Sequence, residues 1–396
     1  MAREEKPYRV YRGGRTKGKV PTPGLRPPRV ERRGLRRRGA EGAAARAEYR
    51  GPGATTGRRK PRWGRRISLG ILVLLVLVIV WAVASWFSFS SGVSAANKRL
   101  DQNAKLALTS QSGLLLSHPT TILMLGTDNA RVGGREGDMH SDSIMLLRTD
   151  PAHHRLYYLS IPRDLQVPIP GAGTQKINAA FQIGGPALAI RTIRQFTGLE
   201  VDHVMVINFA DFKDLIDALG GIDVNVPEAI RSNRFDCPYA SQARCDAWPG
   251  WRFQKGVQHM SGSRALIYSR IRENTLNPAE TDVTRGARQQ DVLNAVAQKF
   301  TSLGVLSKMP FSGDSFAKPL TTDLTAAQLV QLGWVKFRAS NAGSIHCRLG
   351  GDLGGSGTGS PSEDNPATIA MFLGRSAAQP PTDPFGPGCV TGHALK

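Results

Sequence analysis

TTILMLGTD (Thr120–Asp128), SDSIMLLRTD (Ser141–Asp150) and RLYYLSIPRD (Arg155–Asp164) are three short apolar runs separated by a Gly-rich loop and a tight turn. Each is too short for a core helix and is bounded by turn residues, so each reads as a strand buried on both faces. Downstream, Pro186 opens PALAIRTIRQFTG and Gly198 closes it, the signature of a helix. VDHVMVINF (201–209) is another strand, ADFKDLIDALGG (210–221) an amphipathic helix and IDVNVP (222–227) a strand. Residues 228–258 read as a long loop, Gln258 to Arg272 as a short helix with an extended exit, and Asp282 to Leu303 as a longer helix. TTDLTAAQLVQLG adds one helix before a terminal strand. This alternation predicts an α/β domain, a central mixed sheet flanked by helices.

Around that body the charge is uneven. Residues 1–66 hold 22 Lys and Arg against 5 Asp and Glu, while the other 330 residues hold 30 against 26. The net charge of +21 therefore belongs mostly to an Arg/Gly/Pro-rich tail that cannot bury enough surface to order itself. From Ile67 to Phe89 run 23 uncharged residues, enough at ~1.5 Å each to cross a ~30 Å hydrocarbon core. Arg62, Arg65 and Arg66 on its N-terminal side predict a single-pass cell-membrane protein, tail cytoplasmic and body extracytoplasmic. The tail is expected to lie against anionic lipid, and no nucleic-acid partner is expected, since nothing else in the chain reads a base. The expected organisation is a disordered tail (1–66), a transmembrane helix (67–89), a stalk (90–117), a catalytic domain (118–376) and a Pro/Gly-rich C-terminal tail (377–396). Four cysteines outside the cytosol predict disulfides, Cys237 with Cys245 and Cys347 with Cys389.

The candidate chemistry lies at the ends of apolar runs. Asp128 and Arg163 follow strands and Asp142 begins one, where ligand sites of α/β sheets gather. Two carboxylates with phosphate oxygens and water suit Mg²⁺. Arg270 and Arg272 point the same way only if their segment is extended. Arg285, Arg288 and Gln289 share a helix face. Guanidiniums fork onto phosphate oxygens, so this set suits phosphoryl chemistry. There is no GxSxG elbow for a serine hydrolase, and His153 and His154 read as solvated turn residues.

GTD…SDSIMLLRTDP, LSIPRD, KINAAF…GGPALAIRTI, INFADFKDLIDALGGIDVNVP, SGSRALIYSRIR and TDVTRGARQQ, taken in order, resemble the LytR-CpsA-Psr family over about residues 120–300. The resemblance implies a phosphotransferase that moves a glycan polymer (teichoic acid or capsule) from an undecaprenyl-pyrophosphate carrier to peptidoglycan at the outer membrane face. It implies Mg²⁺ on Asp128 and Asp142. It also implies pyrophosphate on Arg163, Arg270, Arg272, Arg285, Arg288 and Gln289, with Lys176, Asn178 and Asp282 in support. The pattern departs from the family at Ala130, where an Arg is usual, so that Arg131 stands one position late. The donor's lipid needs an apolar tunnel, for which Ile177, Phe181, Ile183 and Leu188 are candidates, ordinary core being the preferred reading of all four. The alternative function is non-catalytic: polyprenyl-phosphate binding, or an envelope-linked regulator.

Overall fold

The computed structural model describes residues 63–110, 113–128, 141–277, 285–352, 359–383 and 386–392. Seven strands form the central sheet: β1 (Thr121–Thr127), β2 (Ser141–Asp150), β3 (Arg155–Ser160), β4 (His203–Asn208), β5 (Thr321–Thr322), β6 (Ile345–Arg348) and β7 (Gly388–Thr391). Their order is β5-β4-β1-β2-β3-β6-β7. The sheet is mixed: β4 runs parallel to β1 and β6 parallel to β3, while β1, β2 and β3 are successively antiparallel. Around it lie α1 (Trp63–Arg99), α2 (Gln102–Ala107), α3 (Ala179–Thr197), α4 (Phe209–Ala218), α5 (Gly262–Arg270), α6 (Arg285–Phe300), α7 (Leu303–Ala317), α8 (Ala326–Arg338) and α9 (Asn365–Phe372).

Alternate residues of each strand enter opposite layers. Leu123, Leu125, Ile144, Leu146, Tyr157 and Leu159 form one core with α2, α3 and α9. Ile122, Met145, Leu147, Leu156 and Tyr158 face the other way, toward Leu293 of α6 and Leu332 and Val335 of α8. Burial on both faces is why the strand sequences are apolar almost without interruption.

Several local expectations are revised. The helix after KIN starts at Ala179, before Pro186. Gly184 and Gly185 interrupt it, Gly185 at φ 58° and ψ −156°, a conformation that only glycine adopts readily, and Pro186 then opens a second segment. IDVNVP is extended but pairs with Gly256–Met260 in a separate two-stranded ribbon. The helix expected from Gln258 therefore begins only at Gly262, where the Ser261 hydroxyl caps the Arg264 N–H at 3.4 Å. Helix α7 was unforeseen, because Pro310 and Gly313 disguise its periodicity.

The stalk is also revised. Helix α1 is continuous through Arg99, and Gly92, Val93 and Ala96 are buried against the domain. Ala104, Ala107 and Leu115 are buried too. Residues 90–117 thus belong largely to the fold. Small residues carry little hydrophobic signal in a sequence, yet they allow close helix approach: a Cβ on Gly92 would lie 2.4 Å from the Asp314 carbonyl oxygen of α7. α1 is long and apolar enough to cross a membrane.

Both disulfides are present. Cys347 and Cys389 face each other across the β6–β7 pair and close a separation of 42 residues. Loop-closure entropy assigns such a bridge about 4 kcal/mol, against about 2–3 kcal/mol for the 8-residue Cys237–Cys245 loop. Urea unfolding of Cys347→Ser in the Cys389→Ser background should show the larger loss. Equal losses from the two bridge deletions would contradict this ranking.

Candidate functional site

Antiparallel pairing places the end of β1 and the end of β3 beside the start of β2. That brings Asp128, Asp142 and Arg163 to one edge of the sheet. The Arg163 guanidinium is bonded to the Asp142 carboxylate, and Arg285 Nη2 donates to the Asp142 backbone oxygen at 3.2 Å. Arg270 closes α5, and Ile271 turns the chain to extended backbone, carrying Arg272 onward. Burial lowers the Arg270 pKa; the carboxylates of Asp142 and Asp128 pull it back up, and Arg272 pushes it down. These four charges therefore lie within electrostatic reach of one another, across more than 140 residues of sequence.

Lys176 and Asn178 act on Arg163 rather than at the mouth itself. Lys176 Nζ bonds Asp164 Oδ1 at 2.9 Å, and Asp164 Oδ2 accepts from Arg163 Nε at 3.4 Å. The backbone N–H of Asn178 donates to the Arg163 carbonyl at 3.3 Å. Burial alone would raise the Asp164 pKa; the Lys176 hydrogen bond and the Arg163 charge outweigh it and hold the carboxyl below its ordinary value. Asp164 is thus an ionised brace that orients the guanidinium from behind.

Helix α6 departs from the expectation that Arg285, Arg288 and Gln289 form one face toward ligand. Arg285 and Gln289 border the cavity described below, and Gln289 Oε1 accepts from Ser143 Oγ at 2.7 Å. Arg288 is not among the lining residues. It is buried, and its Nη2 donates to the Ile271 carbonyl at 2.5 Å, tying α6 to the segment that bears Arg270 and Arg272. Asp282 and Arg131 lie outside the described residues. His153 sits at the opposite end of β2, bonded to Asp150.

From this charged edge a cavity of about 710 Å³ runs along the second face of the sheet. Asp142, Arg270, Arg272, Arg285 and Gln289 border it, and the rest of its wall is overwhelmingly apolar. Its floor includes a row of methionines on adjacent strands, Met205 beside Met124 and Met124 beside Met145. Unbranched thioethers accommodate a flexible apolar occupant. Its spine is α6, which contributes Arg285, Gln289, Val292, Leu293, Val296, Ala297 and Phe300, a stripe at helical spacing. From Arg285 to Phe300 that helix spans about 22 Å. A lipid-sized slot with clustered guanidiniums at one end, and Lys336 of α8 as a further cation on its wall, suits a molecule with a long apolar chain and a phosphate head.

The tunnel candidates proposed from sequence do not line this cavity. Ile177, Phe181 and Leu188 are core on the other side of the sheet, and Ile183 is surface-exposed. Apolarity marked them, but the face of the sheet decides which apolar residues meet the void. The α6 stripe is a sequence signal, carried by the spacing of apolar residues in TRGARQQDVLNAVAQKF. Not apparent from sequence was Asp236, at φ 48° beside Cys237, whose carboxylate pairs with Arg270. The Arg270 guanidinium lies over the rings of Phe209 (4.9 Å) and Phe235 (5.7 Å), both bordering the cavity.

Comparison with known proteins bears on this geometry. A family model described as the LytR_cpsA_psr family matches residues 83–346. The polyisoprenyl-teichoic acid–peptidoglycan teichoic acid transferase TagV of Bacillus subtilis (strain 168) is 28% identical over 267 residues, 66% of this chain and 65% of TagV. The transferase of the same description named TagU, from Bacillus mycoides (strain KBAB4), is 29% identical over 266 residues, 67% of this chain and 80% of TagU. A solved structure described as TagT bound to LIIa-WTA superposes with a TM-score of 0.50 at 26% identity, covering 67% of this chain and 94% of that one.

Proposed function

Since this chain belongs to the LytR-CpsA-Psr family, we propose that it is a membrane-anchored phosphotransferase that moves a glycan polymer from an undecaprenyl-pyrophosphate carrier to peptidoglycan at the outer face of the membrane. The single observation that carries this reading is the apolar cavity bordered at one end by Arg270, Arg272, Arg285 and Asp142. The names of TagV and TagU, which specify a polyisoprenyl-linked donor and a peptidoglycan acceptor, support the substrate class.

In this reading the polyprenyl chain occupies the cavity and the pyrophosphate rests among Arg163, Arg270, Arg272 and Arg285. The acceptor hydroxyl oxygen attacks the phosphorus that bears the glycan. The bond from that phosphorus to the bridging oxygen breaks, polyprenyl monophosphate leaves, and the hydroxyl proton passes to solvent or to a carboxylate of the edge. The charge that develops on the departing phosphate is what limits such a reaction, and fixed guanidiniums stabilise it without reorganising. Asp128 and Asp142 supply the hard oxygen donors that a Mg²⁺ ion takes alongside phosphate oxygens and water, and both act electrostatically on Arg270. Mg²⁺ bound there would neutralise pyrophosphate charge. Among the described residues no three or more His, Cys, Asp or Glu side chains gather into a ligand set, so the ion would depend on substrate oxygens to complete its shell.

The test is direct. Full-length chain in detergent or bilayers, given a labelled polyprenyl-pyrophosphate glycan, Mg²⁺ and peptidoglycan, should move label into the sacculus and release polyprenyl phosphate. Saturable lipid binding without transfer would favour the non-catalytic alternative.

Asp236 makes a further prediction. Its carboxylate occupies Arg270, so an incoming pyrophosphate must displace it. Asp236→Asn is expected to tighten binding of a short-chain polyprenyl pyrophosphate by about threefold to tenfold, the range of a half-exposed charge pair and its repulsion of phosphate. Calorimetric titration measures it, and weaker binding would show that Asp236 positions Arg270 rather than competing for it.

A further inference from the structure

Among the described residues outside α1, six of the exposed large apolar side chains gather on two helices that flank the cavity, while the others are spread over several separate segments. On α7, Leu303 is 84% and Phe311 86% exposed, with Leu306 between them. On α8, Val330, Trp334 and Phe337 are exposed at spacings of four and three, a single stripe. Leaving these in water costs hydrophobic free energy, and none of the described residues covers them.

Their position relative to α1 is set by contacts. The Asp314 N–H bonds Ser88 Oγ at 3.3 Å, Gly92 meets the Asp314 backbone, and Arg99 reaches the carbonyls of Lys318 and Leu320. Contacts advance toward the C-terminus on both helices together, so α1 and α7 run in the same sense. The N-terminal half of α7, Leu303 to Phe311, therefore lies on the side from which α1 arrives, the side of its uncharged run. Phe89 of α1, Leu306 of α7 and Val330 of α8 all line the cavity, and Leu303 follows within three residues of Phe300, the end of α6 farthest in sequence from the arginines.

Composition points the same way. Residues 303–313 and 326–338 contain no acid, and Lys308 and Arg338 are exposed among the apolar groups. Aromatic and aliphatic side chains mixed with cations are the chemistry of a bilayer interface with phosphate headgroups.

We propose that Leu303, Leu306 and Phe311 of α7 with Val330, Trp334 and Phe337 of α8 form a membrane seat, inserted into the leaflet beside α1, and that the end of the cavity remote from the arginines opens onto it. The partner is the lipid bilayer itself. The inference rests on the reading of the cavity as a polyprenyl site. Its consequence is mechanical: an isoprenoid longer than the roughly 22 Å between Arg285 and Phe300 runs from the guanidiniums straight back into hydrocarbon, and no part of it crosses water. The reacting phosphates are held outward, toward the wall.

The four cysteines are paired in disulfides, so a single added cysteine takes a nitroxide label. Full-length Leu303→Cys, Phe311→Cys and Trp334→Cys, reconstituted into phosphatidylglycerol/phosphatidylethanolamine liposomes, are compared with Val257→Cys, an exposed position (71%) on the Gly256–Met260 ribbon. All four sites are exposed, so the labels leave the core intact. The expected result is stronger relaxation by oxygen than by a water-soluble nickel chelate at 303, 311 and 334, with the reverse at 257. Labels at 303, 311 and 334 that match 257 would overturn the seat. Shielding from both relaxants with spin–spin broadening would also overturn it, because the face would then join two copies of the chain. Relaxation reports depth without turnover: deep labels in a chain that fails to transfer glycan would keep the seat and sink the transferase reading.

Discussion

Arg163→Ala is expected to lower glycan transfer by about 10²–10³-fold, the cost of removing one preorganised donor from a developing phosphate charge. Two effects add. The guanidinium no longer meets the departing phosphate, and Asp142 loses the guanidinium that pairs with its carboxylate in the structure, so the edge presents one positive charge fewer to the pyrophosphate. Arg163→Lys restores charge but not the fork, so it should recover only part of the loss. The informative comparison is transfer rate against lipid affinity. A transition-state role lowers the rate at saturating donor, whereas a simple binding role weakens affinity and spares the rate. Unchanged transfer in Arg163→Ala would remove this residue from the site. Lys176→Met should produce a milder version of the same defect, because Lys176 holds the Asp164 brace behind Arg163.

Ala297→Trp is expected to weaken use of a long-chain donor on the order of 100-fold while leaving the fold intact. Ala297 lies on the α6 stripe inside the cavity, half-buried and small, so an indole enters existing apolar space and does not displace packed core. Each methylene denied burial costs about 0.8 kcal/mol; excluding three or four from the cavity weakens binding on the order of 100-fold. A donor with only two or three isoprene units, which stays near the arginines, should lose far less. The melting temperature should hold or rise, since the substitution fills a void. Equal weakening for short and long donors would mean that the isoprenoid lies elsewhere, and the cavity would lose its assigned role.

Much of this was legible from one dimension because the physics is local. Strand runs such as the ILML of TTILMLGTD are apolar at successive positions because both faces of the sheet are covered, and that imprint does not depend on what covers them. That α1 is long and apolar enough to cross a membrane is a matter of length and charge. Asp128, Asp142 and Arg163 stand out as candidates because polar residues at the ends of buried strands have few structural reasons to be there, and strand pairing brings them to one edge of the sheet. Depth of burial was less legible than direction. Arg288 shares a helix face with Arg285 and Gln289, yet it is buried against the Ile271 carbonyl: a stripe gives direction but not depth. For Ile177, Phe181 and Leu188 the preferred reading as ordinary core holds: they are as apolar as Met124, Met145 and Met205, but they fill the packed face while the methionines line the void.

Composition, hydrophobic run length and the order of the motifs were enough to determine an α/β domain behind one apolar span, with carboxylates and arginines at the strand ends, because those properties follow from each residue's own partition between water and apolar surroundings. Only the tertiary structure decided which face of the sheet is left incompletely filled, that Asp236 occupies Arg270, and that small residues such as Gly92 draw α1 onto α7. These are outcomes of packing between segments more than 30 residues apart, where shape and excluded volume rather than residue type choose the neighbour.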